Sequence, residues 1–190
     1  MSTSKRAQSY HHGDLRPALL AAAADLLADG GVTTISLREV ARRAGVSHNA
    51  PYRHFADRDS LLAALAEEGF AELGRRMDGA VGGLAALGQC YVHFALEQPG
   101  RFALMFASSL DKTRHSGLQQ AATALYERLA DAVGEAAPGR DRQVATLASW
   151  SLVHGLAQLL QEQQMSEAMR AGLGAAELSE RVTRLFVEGL

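Results

Sequence analysis

The chain is 190 residues long and has one cysteine, Cys90. A single thiol closes no intrachain disulfide, and it suits a reducing compartment. No apolar run reaches the ~18 residues that a bilayer crossing needs. The opening residues, MSTSKRAQS, have no apolar stretch of the kind that heads a secretory leader. A soluble, cytoplasmic protein without membrane contact is therefore expected. No segment sustains the period-two alternation of a half-buried strand, so no sheet is expected. Formal net charge is only −2, so the total does not advertise a nucleic-acid binder. Catalytic signatures are also missing. There is no nucleophile elbow, no glycine loop leading into a helix to cradle phosphate, and no carboxylate pair isolated in an apolar frame. Neither an enzyme nor a cofactor is expected.

The charge that is present is placed unevenly. Residues 1–60 hold eight Lys and Arg against six Asp and Glu, or +2, and residues 61–190 hold eleven against fifteen, or −4. Ser36–Arg58 alone holds five Arg against Glu39 and Asp57, or +3, with His48 and His54 in addition. A local basic patch matters more to an anion than the total does. Hydrophobic residues make up 47% of the chain, enough for a sizeable core.

Periodicity predicts helices throughout. Leu15, Ala18, Leu19, Ala22, Leu26 and Leu27 repeat at helical spacing from Asp14, with Pro17 in the first turn and the stretch DGG, Asp29–Gly31, at the end. Ser36 with Glu39 forms a capping box for a second helix ending at Gly45. Ser47 reads as the N-cap of a third helix, to about Phe55, with Pro51 at its fourth position. Asp57 opens a fourth, to about Met77. The stretch DGAVGG then breaks the chain. Further helices are expected near Leu84–Glu97, Arg101–Ser108 (after a turn at Pro99–Gly100), Ser116–Val133, Asp141–Gln164 and Ala176–Gly189. Residues 1–9 read as a disordered arm carrying Lys5 and Arg6. Residues 10–60 are assigned to one domain and 61–190 to a second.

Two short capped helices joined by a glycine turn make a helix-turn-helix, whose second helix lies in a DNA major groove. Its polar side would carry Ser47, His48, Asn49, Tyr52, Arg53 and His54, with Val46, Ala50 and Phe55 turned inward. Asn pairs bidentately with adenine, and Arg or His donates to guanine acceptors. Ser36, Arg38, Tyr52 and Arg58 suit phosphate oxygens. The competing reading is an ordinary charged helix pair with solvated arginines. It does not account for both caps, the glycine turn and their spacing. One such motif makes few base contacts, so a homodimer on a double-stranded, near-palindromic operator is expected.

In "ISLREVARRAGVSHNAPYRHFADRDSLL" the chain resembles the DNA-binding domain of the TetR family of bacterial transcriptional regulators. The likeness spans Leu15–Phe70 and includes "YHHGDLRPALLAAA" just before. "LASWSLVHGLAQLL" and "PGRFALMF" are similar to a Trp-His-Gly subclass of the family's C-terminal domains. The resemblance implies an all-α protein of about nine helices. It would have a three-helix, helix-turn-helix DNA-binding domain and a C-terminal helical domain for ligand binding and dimerisation. It implies a repressor released by a small effector, with Ser36, Arg38, Ser47, His48, Asn49, Tyr52, His54 and Arg58 on DNA-contacting positions. It also favours pairing through the last two helices, and makes the fourth helix the lever between domains. Pro51 departs from the commonest residue at its place.

The second half carries weaker signals. Trp150 and His154 share a helix face. Tyr91, Phe102, Met105, Phe106 and Tyr126 supply the aromatic and Met walls that suit a small apolar or aromatic ligand. Taken singly, each is also what a helical core would use. His154 needs a polar partner: Ser151, a backbone carbonyl or a ligand. The penultimate helix shows a face of Ala145, Ser149, Leu152, Leu156 and Leu159 that fits either a partner subunit or the chain's own core. Cys90, His93 and Glu97 have donor atoms suited to a metal, but no fourth ligand clusters with them, and no metal is expected. His11–His12 reads as structural or phosphate-directed. The alternative to a DNA-bound regulator is a helical small-molecule-binding protein whose basic half contacts a protein or RNA. A DNA-architectural protein without ligand would leave the second domain unexplained.

Overall fold

A computed structural model describes residues 15–189. The arm of residues 1–9, the His11–His12 pair and the expected helix start at Asp14 lie outside them. The described residues form nine α-helices and three short 3-10 turns, with no strand. They divide into two compact units, one ending at Leu65 and the other beginning at Ala66.

The first unit holds α1 (Leu15–Gly30), α2 (Leu37–Arg43) and the start of α3 (Arg58–Asp78). Its core is built from Leu19, Leu20, Ala23, Val40, Phe55 and Leu61, each at most 3% exposed. Truncating such a leucine to alanine costs about 2–5 kcal/mol. The caps sit where the residue types require. Ser36 Oγ accepts from Glu39 N at 3.1 Å and starts α2. Asp57 Oδ1 accepts from Ser60 N at 2.7 Å and starts α3. Gly45 takes φ +68°, a conformation that costs other residues a steric clash, and turns the chain out of α2.

The segment after that turn differs from expectation. No α-helix runs from Ser47 to Phe55. Two turns lead into a 3-10 helix, Pro51–Arg53. Pro51 is the cause. It has no N–H to donate to Ser47 O, and that carbonyl instead accepts from Ala50 N at 2.9 Å, the tighter spacing. Ser47 correspondingly accepts from Asn49 N at 3.3 Å, two residues on, rather than capping a full helix.

In the second unit α4 (Gly83–Glu97) is the central helix, packed against α5 (Pro99–Met105), α6 (Ser116–Ala136), α7 (Arg142–Gln161) and α9 (Ala175–Glu188). Its near-continuous apolar sequence, LAALGQCYVHFALE, is what a helix covered on several sides needs. A Cβ at Gly88 would lie 2.8 Å from Thr183 Cγ2 and 3.1 Å from Val153 Cγ1, so this glycine sets the close approach of α4 to α9 and α7. α3 runs unbroken through Gly69 and Gly74 to Asp78. Pro99 begins α5 rather than preceding it as a turn, because proline at the first helical position loses no hydrogen bond. The sequence pattern gives no sign of the four-residue helix α8 (Glu167–Arg170), which Ser166 caps.

The proposed partner face of α7 is largely turned inward. Ala145, Ser149 and Leu156 are buried within the chain itself, Leu152 lines a cavity, and of that set Leu159 is exposed. α7 packs on both α4 and α6, and the spacing within one helix cannot say whether its apolar face meets its own chain or another.

Candidate functional site

Within the first unit the five arginines of Ser36–Arg58 sort into two groups. Arg42 pairs with Glu39 on the preceding turn of α2, and Arg43 Nη2 donates to Asp29 Oδ2 at 2.7 Å. Arg58 Nε donates to Ile35 O at 2.8 Å and its Nη2 to Val32 O at 2.7 Å. That fork ties the start of α3 to the segment leading into α2. It leaves Arg58 with less to offer a phosphate than its sequence position suggests. Arg38 and Arg53 are exposed and make no side-chain hydrogen bond or ion pair with the described residues. The side chains of His48, Asn49, Tyr52 and His54 are likewise unengaged, these residues are exposed, and Tyr52 is 58% exposed. Pro51 and Phe55 are buried and fix the backbone beneath them.

The second unit encloses a cavity of about 110 Å³, lined by α3, α4, α6, α7, α9 and the Lys112–Arg114 turn. Of the seven expected ligand residues, Tyr91, Phe106, Tyr126 and Trp150 line it. Phe102 and His154 stand behind that wall: Phe102 packs on Tyr91 and Phe106 at ring-centroid distances of 5.4 and 5.0 Å, and His154 on Phe106 at 4.8 Å. Met105 is fully buried against Gly69 of α3, so it is core.

The polar atoms of this wall bond to one another. Trp150 Nε1 donates to Tyr91 Oη at 3.2 Å, and Tyr91 Oη lies 2.8 Å from His154 Nδ1. Indole has a hydrogen to give and no lone pair to offer, so Tyr91 accepts from Trp150 and donates onward. The neutral imidazole therefore keeps its proton on Nε2. Burial pushes the Tyr91 phenol well above its ordinary value, against the opposing bond from Trp150, and burial holds His154 below its own. The polar partner of His154 is thus Tyr91, on α4.

Several lining residues carry no signal of their own in the sequence. Phe70 meets Phe106 edge-on at 5.5 Å, and Thr183, Phe186 and Val187 close the cavity from α9. Lys112 Nζ lies 5.7 Å from the ring centroids of both Phe70 and Phe106. Such cation–π contacts contribute roughly 0.5–2 kcal/mol. The α9 residues look like any amphipathic helix in sequence, and only the tertiary arrangement makes them wall. Of the metal-like trio, Glu97 accepts from Arg76 Nη1 at 2.6 Å, and no cluster of three His, Cys, Asp or Glu occurs among the described residues.

A family model for bacterial regulatory proteins of the tetR family matches residues 19–65, and one for the tetracyclin repressor-like C-terminal domain matches residues 84–186. The chain belongs to the TetR family. An HTH-type transcriptional repressor of Mycobacterium tuberculosis is 26% identical over 186 residues, 98% of this chain and 92% of that protein. A solved protein of unknown function from Rhodococcus sp. RHA1 is 36% identical, with a TM-score of 0.80 over 97% of this chain and 99% of that one. The fold is also that of the regulator FadR from Bacillus subtilis, solved with stearoyl-CoA: 17% identical, TM-score 0.71, covering 92% and 98% of the two chains. This TetR-family protein is thus a helix-turn-helix transcriptional regulator and not an enzyme. TetR regulators bind DNA, so a basic half devoted to a protein or RNA partner is not needed to account for it. No helix among the described residues of this TetR regulator is long and apolar enough to cross a membrane.

Proposed function

We propose that this TetR-family regulator is a cytoplasmic repressor that binds a near-palindromic operator as a homodimer and is released by a small apolar or aromatic effector. The observation that carries the DNA-reading part is the sorting of side chains above. His48, Asn49, Tyr52, Arg53 and His54, with Arg38, leave their donors unengaged, while Arg42, Arg43 and Arg58 are tied down. His48, Asn49 and Arg53 are assigned to base edges, and Ser36, Arg38, Ser47, Tyr52, His54 and the remaining donors of Arg58 to positioning on the backbone.

The division of labour is residues 10–60 for DNA and 61–190 for effector and partner, and Trp150 with His154–Gly155 supports the Trp-His-Gly subclass for the latter. Effector contacts are assigned to Tyr91, Phe106, Tyr126 and Trp150, with Phe102 and His154 backing them. A fold neighbour solved with a long-chain acyl thioester supports an apolar effector. The partner surface is assigned to the outward side of α7 and α9, where Val144 is 63% and Leu185 72% exposed, beside Leu147 and Leu159. Burying that apolar area in a four-helix arrangement is the ordinary remedy.

α3 supplies the coupling. Phe70 and Met77 on its later turns line the cavity. Arg58 on its first turn holds the carbonyls of Val32 and Ile35, just before α2. An effector that favours one placement of α3 thereby favours one spacing of the reading elements. A ~100-fold loss of operator affinity requires a differential of about 2.7 kcal/mol between the two states.

The test is selection of bound sequences from a random duplex pool at physiological salt. An enriched inverted repeat, with half-sites about one turn apart (~34–36 Å), is expected. A folded, dimeric protein that enriches nothing would sink the operator reading.

A further inference from the structure

The cavity's polar inventory is lopsided. No Asp or Glu lines it. Tyr91 and Trp150 are bonded within the wall, Ser149 Oγ donates to Ala145 O at 2.8 Å, and Thr183 Oγ1 donates to Ser179 O at 2.8 Å. Tyr126 Oη and Lys112 remain, and Lys112 is the one that carries a charge. It lines the cavity, is half-buried, rests on the faces of two aromatic rings and has no ion pair or side-chain hydrogen bond among the described residues. Burial holds its pKa below the ordinary lysine value.

The residue type adds weight. The chain has Lys5 and Lys112 as its lysines, against seventeen arginines. Arginine serves every ion pair found among the described residues. The ammonium at the cavity is compact, with three donors in a cone and no planar fork, and it matches a single anionic group at the end of an apolar body. A neutral ligand would bury this charge further without a partner. A cationic one would be repelled by it.

We infer that the cavity takes an apolar molecule bearing one anionic head group, with Lys112 as the residue that selects for the charge. This deepens the effector reading and rests on it. The ring wall of Phe70, Phe106, Tyr126 and Trp150 holds the body. Lys112 holds the head, and Tyr126 Oη, a lining group that has no hydrogen bond among the described residues, is a candidate for a second donor. Selectivity comes mainly from the half-buried ammonium that an uncharged ligand would cover without supplying a counter-ion.

The matched probes are decanoate and decan-1-ol, titrated against the full chain and followed through fluorescence of Trp150, its one tryptophan. The wild type is expected to bind decanoate about tenfold more tightly than the alcohol. Lys112→Met is expected to lose about tenfold more affinity for decanoate than for the alcohol, and Lys112→Arg to recover part of that loss. Equal losses for both probes, or an alcohol bound as tightly as the acid by the wild type, overturn the inference. Circular dichroism melting of each variant separates loss of charge from loss of fold. Displacement of the selected operator duplex is read in parallel. If decanoate binds through Lys112 but leaves the operator bound, the charge-selective site stands and the effector reading falls. If neither probe perturbs Trp150, both fall together.

Discussion

In the first unit, His48 and Arg53 are exposed, with no hydrogen-bond or ion-pair partner for their side chains among the described residues. In the second, Tyr91, Trp150 and His154 are bonded to one another behind a wall of rings. Unengaged donors cost little in water and gain most when a fixed array of acceptors arrives. Engaged donors make a wall whose shape and tautomers are set before anything enters. Under the proposed function, a DNA reader and a chamber for an apolar molecule call for these opposite treatments of the same kinds of atom, with Arg42, Arg43 and Arg58 as the tied exceptions in the first unit.

The sharpest way to break this contrast is to empty the reading surface. His48→Ala with Asn49→Ala is expected to weaken operator binding by roughly a hundredfold or more, since each base contact contributes about 1–3 kcal/mol and a dimer makes it twice. Binding to unrelated duplex at low salt should change by less than about threefold. Fluorescence anisotropy on both duplexes reads the result, and equal losses would remove these residues from base readout.

Tyr91→Phe attacks the other side. It leaves Trp150 Nε1 and His154 Nδ1 without a partner, at a cost of roughly 2 kcal/mol. Chemical denaturation should show that loss. Operator affinity below the transition should hold. A variant as stable as the wild type would mean that the three side chains do not act as one bonded wall.

A pair of arginines tests the sorting within a single unit. Arg58→Ala should lower stability by about 1–2 kcal/mol through two lost bonds to backbone carbonyls. Arg53→Ala should stay within about 0.5 kcal/mol of wild type yet weaken operator binding. Similar melting curves for the two variants would erase the distinction between tied and unengaged arginines.

The smallest expected effect is one of pH. His154 is held below its ordinary value by burial, so the folded protein resists protonation that the unfolded chain accepts. Its contribution to stability is full above the unfolded histidine value of ~6.5 and is lost as pH falls through 6.5 toward its own lower value. Thermal melting from pH 7.5 to 5.5 should decline in wild type and flatten in His154→Gln. Parallel declines would place the effect elsewhere.

Much of the architecture is legible in residue types. Ser36, Asp57 and Asp141 cap helices because a short oxygen-bearing side chain reaches the orphan N–H groups, and Gly45 marks its turn by its φ. The DNA-facing candidates are readable because they lie within one local segment. The cavity is half readable. Tyr91, Phe106, Tyr126 and Trp150 stand out as aromatics, but Lys112 and the α9 wall are brought in from separate parts of the chain. The inward and outward sides of α7 are illegible for the same reason: both are apolar, and only the placement of α4 and α6 tells them apart.

Pro51 bears on how this regulator can be compared with its relatives. An α-helix advances 3.6 residues per turn and a 3-10 helix 3.0, about 100° against 120° per residue. Across Pro51–Arg53, each side chain therefore fans out by about 20° more per step than an α-helical template would place it. Under the proposed base-reading assignment, identical letters in a relative without this proline are expected to point in different directions. The code by which such segments are matched to operators is thus a property of backbone winding as much as of residue identity. Under that same proposal, an operator transferred by alignment alone is expected to be offset from the one selected with this chain.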